Sequence, residues 1–280
     1  MKCDLLGFVI AAICAMASPL MAQQAAGGVD RLYVLECGHG TAPNQGFFAA
    51  GYNEGKPFDL SDNCYLIHHQ GGYLLWGTGI ADKFLQTNGV PSFDFRPHWV
   101  VTTGLANQLE QLGIRPSWIR YIGLTNTHVD HIGNIALFPA ATILMQKSEL
   151  EFTLNRPLEP RELDEARFKT DLPIVKLDGD YDVFGDGTAV IIATPSVSPG
   201  NQSLLVKLPR TGALVLSGDL IHFEYGWEHR IVPGNVWNKE QTVASFHRLG
   251  DIIARNNAKL WIEHDPAQSN SRKFAPDYYD

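Results

Sequence analysis

The sequence has little of several features that define specialised classes of protein. Four of its 280 residues are cysteine, too few for a disulfide-rich scaffold. It has no run of lysine and arginine, and its net charge is −8, so nucleic acid and anionic membrane surfaces are not expected as main partners. It also has no Pro/Ser-rich linker and no short-period repeat. The composition, 45% apolar, is that of a globular protein with one large domain or two small ones.

The N-terminus lacks the ~20 apolar residues that a transmembrane helix needs. Lys2 precedes a shorter apolar run at residues 5–16, and small residues follow it up to Ala22. Such a segment is typical of a secretory signal peptide. We therefore predict that residues 1–22 are cleaved and that residues 23–280 are exported, to a periplasm or outside the cell, without a membrane anchor.

Cleavage would leave two cysteines, Cys37 and Cys64. In an oxidising compartment these two thiols could form one disulfide. They could equally be two buried thiols at strand ends, because the sequence does not measure their separation in space. Both alternatives stay open at this point.

The hydrophobic pattern predicts short strands that alternate with helices. Runs of apolar, β-branched and aromatic residues predict strands at residues 31–37, 63–69, 72–76, 118–124, 142–145, 189–193, 203–208, 213–217 and 260–263. Apolar spacing predicts one helix from Leu105 to Gly113 and another that begins at Asn238. The charged stretch 147–170 is predicted to be a solvated helix and loop, with a substrate lid as the alternative. Because strands and helices intermingle, we predict a single α/β domain with two packed sheet layers.

The strongest chemical motif lies in a loop that directly follows a predicted strand. His128, Asp130 and His131 lie within four positions of one another. Divalent transition metals bind imidazole nitrogens and carboxylate oxygens, and a tight turn lets neighbouring ligands converge. The alternative is a polar turn in which Asp130 caps a helix. Asp219 and His264 favour the metal site, because each follows another predicted strand.

From NCYLI at residues 63–67 to WIEHD at residues 261–265, the sequence resembles the metallo-beta-lactamase superfamily, and most closely its N-acyl homoserine lactonase-like branch. Members usually show an HxHxDH motif, a later histidine in a glycine-rich turn, a Gly-Asp pair and a final histidine. The resemblance implies an αββα sandwich with metal ions held by loops between the sheets. It also implies a metal-dependent hydrolase whose substrate is a small lactone or ester.

The metal positions of the family are only partly present. The first position corresponds to Asn126, His128 and Val197, of which His128 alone is a strong metal donor. The second position is complete, with Asp130, His131, Asp219 and His264. We therefore expect one divalent ion per chain. The resemblance implies zinc, although the same four ligands accept iron, cobalt or manganese.

Three further positions depart from the family pattern. Gly77 stands where an aspartate is common, and Asn201 replaces a frequent histidine. Ser196, next to Val197, is the third unusual position. Departures that cluster on motif segments indicate altered metal use or a lost activity. Two alternatives to a lactonase therefore stay open: a non-catalytic protein of the same fold that binds metal or ligand, and a β-lactamase.

Two residues are candidates for the chemistry itself. Asp130 could bind metal and also accept the proton of the attacking water, although metal binding and general-base catalysis would compete for the same carboxylate. His222 lies where some lactonases carry a tyrosine, and it could donate a hydrogen bond to a developing oxyanion. The alternative for His222 is a partly exposed histidine at a strand end. Three aromatic residues either line an acyl-chain groove or belong to the core: Phe47, Phe48 and Phe84.

Overall fold

The computed structural model describes residues 27–91, 96–157 and 167–280. The predicted signal peptide, residues 1–22, lies outside these ranges, so cleavage and export stay predictions. Within the described ranges, no helix is both long and apolar enough to cross a membrane.

The first sheet has seven strands. They are β1 (Val29–Ala42), β2 (Phe58–His69), β3 (Gly72–Trp76), β4 (His98–Val100), β5 (Ile119–Gly123), β6 (Thr142–Gln146) and β7 (Ile174–Leu177). Their order across the sheet is β4-β1-β2-β3-β5-β6-β7. The pairs from β3 to β7 are parallel, so the carboxyl ends of these strands lie at one edge of the sheet.

The second sheet has five strands. They are β8 (Tyr181–Asp182), β9 (Ala189–Ala193), β10 (Gln202–Leu208), β11 (Gly212–Leu216) and β12 (Lys259–Trp261). Their order is β12-β11-β10-β9-β8, and β11 and β12 run parallel. The loops that follow β11 and β12 therefore leave the sheet side by side.

The described ranges contain six α-helices. They are α1 (Leu105–Gln111), α2 (Val129–Ile132), α3 (Lys147–Asn155), α4 (Glu224–Glu228), α5 (Lys239–Asn256) and α6 (Pro266–Ser269). The predicted start of α5 is confirmed, because Asn238 Oδ1 accepts a hydrogen bond from the Gln241 N–H at 2.9 Å. This contact satisfies one of the unpaired N–H groups of the first helical turn.

Alternation of side chains along the strands builds an αββα sandwich. Leu204 and Val206 of β10 face a core that they share with Ile67 of β2 in the other sheet. Leu205, between them in sequence, faces the opposite way and packs with Phe246 of α5. A separate apolar cluster joins α1 and α2 to the outer face of the first sheet. The predicted single-domain α/β sandwich is confirmed.

Several predicted boundaries shift in the structure. The predicted strand 118–124 begins one residue late, because Pro116–Trp118 forms a 3-10 turn. The predicted strand 260–263 ends at Trp261, which leaves the next residues in a loop. The predicted helix in the charged stretch 147–170 is present as α3 and is largely exposed, but Glu149 and Leu150 are buried in it. Residues 158–166 of that segment lie outside the described ranges.

Cys37 and Cys64 form a disulfide. They lie on the neighbouring strands β1 and β2, with their Cα atoms 5.7 Å apart, and both are buried. Of the two alternatives that the sequence left open, the structure has the bonded pair.

Candidate metal centre

The polar loops of both sheets meet at one edge of the sandwich. The Ser217 N–H donates to Trp261 O at 2.9 Å, which joins the end of β11 to the end of β12. The Gln202 N–H donates to Thr125 O at 2.9 Å, which joins β10 of the second sheet to the loop after β5 of the first. These contacts bring the three predicted ligand segments together.

The loop after β5 carries two buried ligand candidates and one that is half-exposed. Asn126 Oδ1 accepts a hydrogen bond from the His128 N–H at 2.8 Å, which closes a turn just before α2. The short helix then buries Asp130 and His131, whereas 46% of the His128 side chain stays exposed. His128, and not Asp130, occupies the N-cap position of α2, so the alternative of Asp130 as the cap is wrong.

Asp219 and His264 come from the second sheet. Gly218 has a φ of +53°, and a Cβ there would lie 2.7 Å from Gln202 O, so this turn needs glycine. The turn buries Asp219 beside the end of β10. His264 is fixed by its Nδ1, which lies 2.8 Å from the backbone oxygen of Ser61.

The structure brings all five predicted ligand residues together around one carboxylate. His131 Nε2 and His264 Nε2 each lie 3.0 Å from Asp219 Oδ1, and His128 Nδ1 lies 3.1 Å from Oδ2. Asp130 Oδ2 lies 3.8 Å from His131 Nε2 and 3.6 Å from His264 Nε2, beyond hydrogen-bond distance. One ligand atom from each of His131, Asp219 and His264 falls within a mutual distance of 4.8 Å.

The buried charges of this cluster depend on one another. Burial by itself raises the pKa of Asp219, but the positive charges of His131 and His264 hold that pKa well below its usual range. Burial by itself lowers the pKa of both imidazoles, but the negative charge of Asp219 raises it by more. The pKa of His131 is therefore raised well above its usual value, and that of His264 is raised to about 9. In the metal-free chain the two imidazoles are thus cations at neutral pH, and a metal ion would replace their protons.

These residues fit a divalent cation. In its neutral form, the imidazole of His264 carries one ring hydrogen. That hydrogen lies on Nδ1, because Nδ1 contacts Ser61 O and a carbonyl oxygen only accepts hydrogen bonds. The lone pair of Nε2 then faces Asp219 Oδ1, and two facing acceptors need a proton or a metal ion between them. With Asp130 and His131, the cluster offers two carboxylates and two buried imidazoles, a donor set suited to zinc and related metals.

His222 lies beside the cluster and is 5% exposed, so the alternative of a partly exposed histidine is wrong. Its ring lies 5.5 Å from the ring of His264 and 4.6 Å from that of Phe48, between ring centroids. Burial lowers the pKa of His222 to about 3, so the imidazole is neutral. Its Nδ1 has no hydrogen-bond partner among the described residues.

An apolar cluster borders the centre on the same side. Phe48 is buried in it, and Phe47 and Phe84 pack against it half-buried. Trp99 of this cluster places its ring 5.5 Å from the ring of His264. All three predicted phenylalanines therefore belong to one apolar cluster next to the metal ligands.

Comparison with known proteins identifies the family. The model of the metallo-beta-lactamase superfamily matches residues 58–237. The chain belongs to this superfamily. Membership implies a divalent metal, typically zinc, and the donor set above is consistent with one.

Relatives within the metallo-beta-lactamase superfamily include named lactonases. N-acyl homoserine lactonase AttM of Rhizobium radiobacter is 30% identical over 272 residues, which cover 89% of this chain and 98% of AttM. N-acyl homoserine lactonase AiiA of Bacillus thuringiensis subsp. kurstaki is 26% identical and is covered to 99%. A crystal structure of a quorum-quenching N-acyl homoserine lactone lactonase is 25% identical, with a TM-score of 0.77 over 90% of this chain and 99% of that one.

The first metal position of the metallo-beta-lactamase pattern is filled by side chains that bond to one another. Asn126 Oδ1 is engaged by the His128 N–H, and Asn126 Nδ2 lies 3.4 Å from Asn201 Oδ1. Val197 is buried and has no donor atom. Ser196 Oγ is buried and has no hydrogen-bond partner in the described part of the chain. Of the three family ligands at this position, His128 alone offers a strong donor.

Sequence reasoning missed one buried carboxylate that supports the metallo-beta-lactamase loops. Glu149 of α3 is 1% exposed, and its Oε1 accepts from both the N–H and the hydroxyl of Thr127, at 2.9 and 3.0 Å. Its other oxygen accepts from the Ser198 hydroxyl. Glu149 therefore links the ligand loop after β5 to the turn at residues 194–201. Nothing in its charged sequence surroundings indicated burial.

Two more buried carboxyl groups lie close to the ligands. Asp62 is 1% exposed and Glu263 is 2% exposed. Burial raises the pKa of Asp62 well above its usual value and raises that of Glu263 to about 7. Glu263 was noted in the sequence only as the neighbour of His264. Asp62 was not noted at all, because it lies just before the predicted strand at residues 63–69, where a polar residue is usually exposed.

Proposed function

We propose that this protein is a metal-dependent lactonase that opens the ring of N-acyl homoserine lactones. The observation that carries the proposal is the Asp219 carboxylate, which lies 3.0 or 3.1 Å from three imidazole nitrogens with Asp130 beside them. Support for the substrate comes from AttM and AiiA, which are named N-acyl homoserine lactonases and match 89% of this chain.

We further propose that the centre holds one ion, bound by Asp130, His131, Asp219 and His264, with His128 at its exposed side. The first family position supports this stoichiometry, because Val197 offers no donor and the Asn126 amide is engaged in hydrogen bonds. Zinc is the ion we expect, since imidazole and carboxylate suit it well.

A divalent ion at this position supplies a polarised substrate carbonyl and a water that is nucleophilic near neutral pH. Asp130, whose carboxylate lies beside both imidazoles, would also accept the proton of the attacking water. His222, whose neutral imidazole lies beside the ring of His264, donates a hydrogen bond to the developing oxyanion. The apolar cluster around Phe48 receives the acyl chain.

The purified protein is expected to open an N-acyl homoserine lactone, and a chelator is expected to stop the reaction until zinc is added back. Ring opening releases a carboxylic acid, so a pH indicator in weak buffer follows it directly. A nitrocefin-type β-lactam serves as the matched substrate control. Opening of the β-lactam with the lactone left intact would identify a β-lactamase. A zinc-loaded or iron-loaded protein that opens neither substrate would favour the non-catalytic alternative.

His222→Phe is expected to lower kcat for the lactone by about 10²–10³, the usual loss of one oxyanion donor. Phenylalanine preserves the ring contacts with His264 and Phe48, so metal content should stay the same. His247→Phe, a change at an exposed position of α5, is the matched control and should leave kcat unchanged. A His222→Phe protein with wild-type kcat would remove His222 from the chemistry.

A further inference from the structure

A cavity of about 310 Å³ lies beside β12, the edge strand of the second sheet. Its walls come from β11, β12, α6 and the segment that follows α6. None of the proposed metal ligands lines it, so it is separate from the metal centre. Its volume is at the lower end of the range for small-molecule sites in proteins, which is about 300–1,000 Å³.

Among the described residues that line this cavity, two are cations and none is a carboxylate. Lys259 is exposed at the start of β12 and forms no ion pair with a described residue. Arg272 is 8% exposed, and its guanidinium Cζ lies 4.8 Å from the centre of the Trp261 ring. The side-chain carboxylate of Asp280 pairs instead with Arg210, outside the lining. The positive charge of the lining favours an anionic ligand.

Hydrogen-bond donors of the same lining are left unused. Gln268 Oε1 accepts from the Ile262 N–H at 3.0 Å and from Arg272 Nη2 at 3.1 Å. Because two donors meet at this atom, it is the oxygen, and the amide N–H groups of Gln268 have no partner among the described residues. The hydrogen bonds of Arg272 to described residues come from Nη1 and Nη2, and none uses Nε. Both side chains therefore have a free donor for an anionic ligand.

Two aromatic rings form a further part of the lining. The rings of Trp261 and Tyr279 meet edge to face, with centroids 4.9 Å apart and planes at 73°. Tyr279 exchanges two backbone hydrogen bonds with Leu32 of β1, at 2.8 and 2.9 Å, and its hydroxyl accepts from the Lys273 N–H at 2.8 Å. These contacts hold the ring in place before any ligand binds. A fixed aromatic wall suits a flat apolar group.

We propose that this cavity binds a small organic carboxylate with a flat, apolar body. The carboxylate is bound by Lys259, Arg272 and the Gln268 amide, and the flat body packs on Trp261 and Tyr279. A liquid water molecule takes about 30 Å³, so the cavity has room for about ten non-hydrogen atoms. An inorganic anion such as phosphate would leave much of it unfilled. The inference goes beyond the proposed function and does not depend on the lactone substrate.

Phenylacetate is a probe of this size, and phenylacetamide has the same shape without the charge. Binding to the zinc-loaded chain is followed in ¹H–¹⁵N NMR spectra through the indole N–H signal of Trp261, which Trp261→Phe identifies by its loss. Phenylacetate is expected to shift this signal with a Kd of about 1 mM or lower. Phenylacetamide is expected to bind at least about tenfold more weakly. The signal of Trp99, whose ring lies 5.5 Å from that of His264, reports separately on the metal centre.

Lys259→Met removes one of the two cations and keeps a side chain of similar length at an exposed position. It is expected to raise the Kd for phenylacetate about tenfold. Lys176→Met is the matched control, because it removes the same charge from an exposed residue of β7, in the other sheet. It should leave the Kd unchanged.

Three results would overturn the inference. An unchanged Trp261 signal would do so, and a shift of the Trp99 signal alone would mean that the probe binds at the metal centre. Equal affinity for phenylacetate and phenylacetamide, or equal affinity of Lys259→Met and the wild type for phenylacetate, would mean that charge is not recognised. Inorganic phosphate that shifts the Trp261 signal with the same Kd as phenylacetate would mean that the aromatic body contributes nothing.

Discussion

Asp219→Asn is expected to remove the bound ion and to lower lactone turnover by at least about a thousandfold. Asp219 supplies the carboxylate that contacts three imidazoles, two through Oδ1 and one through Oδ2. Asparagine matches it in size, but its amide is a neutral and weak ligand. Elemental mass spectrometry gives the ion content per chain, and kcat/KM for the lactone gives the loss of activity.

The control for this change must separate loss of the ion from loss of a negative charge or of the fold. Asp186→Asn removes one carboxylate away from the centre and should keep wild-type ion content and turnover. His264→Ala should lose the ion with Asp219 intact, while far-UV circular dichroism stays that of the folded chain. An Asp219→Asn protein with a full complement of ion would contradict the ligand set proposed above.

Local patterns were sufficient to predict much of the fold and the ligand segments. The strand at Ala189–Ala193 has the predicted bounds, and the Asn238 cap begins α5 where expected. Both depend on neighbours in sequence: β-branched runs in the first case, and one side-chain-to-backbone contact in the second. Asp219 and His264 could be placed near His131 because each follows a predicted strand and matches a metal position of the family that the sequence resembles.

The groups that sequence reasoning missed depend on contacts between distant segments. Glu149 is buried because the Thr127 N–H and the Ser198 hydroxyl, from two other loops, both reach it. Asp62 is buried because β2 is covered on both faces near its middle, which no local pattern records. The Cys37–Cys64 pair likewise required the register of β1 against β2.

Asn126→His combined with Val197→His is expected to raise the ion content from about one to about two per chain. The two changes restore imidazoles at the family positions on either side of His128, so that three nitrogens are available to a second ion. Both segments already lie together, because Asn126 Nδ2 is 3.4 Å from Asn201 Oδ1 in the turn that carries Val197. Elemental mass spectrometry after zinc loading and desalting measures the stoichiometry.

Each single variant is the control for the double one. Asn126→His or Val197→His alone supplies two imidazoles with His128, fewer than the three protein ligands that even an open zinc site uses. Neither single change should therefore add an ion. A folded double variant that still holds one ion would mean that the missing imidazoles do not limit the site. The cause would then lie in the surrounding side chains, where the Asn201 amide bonds to Thr194 O and keeps the turn in its present shape.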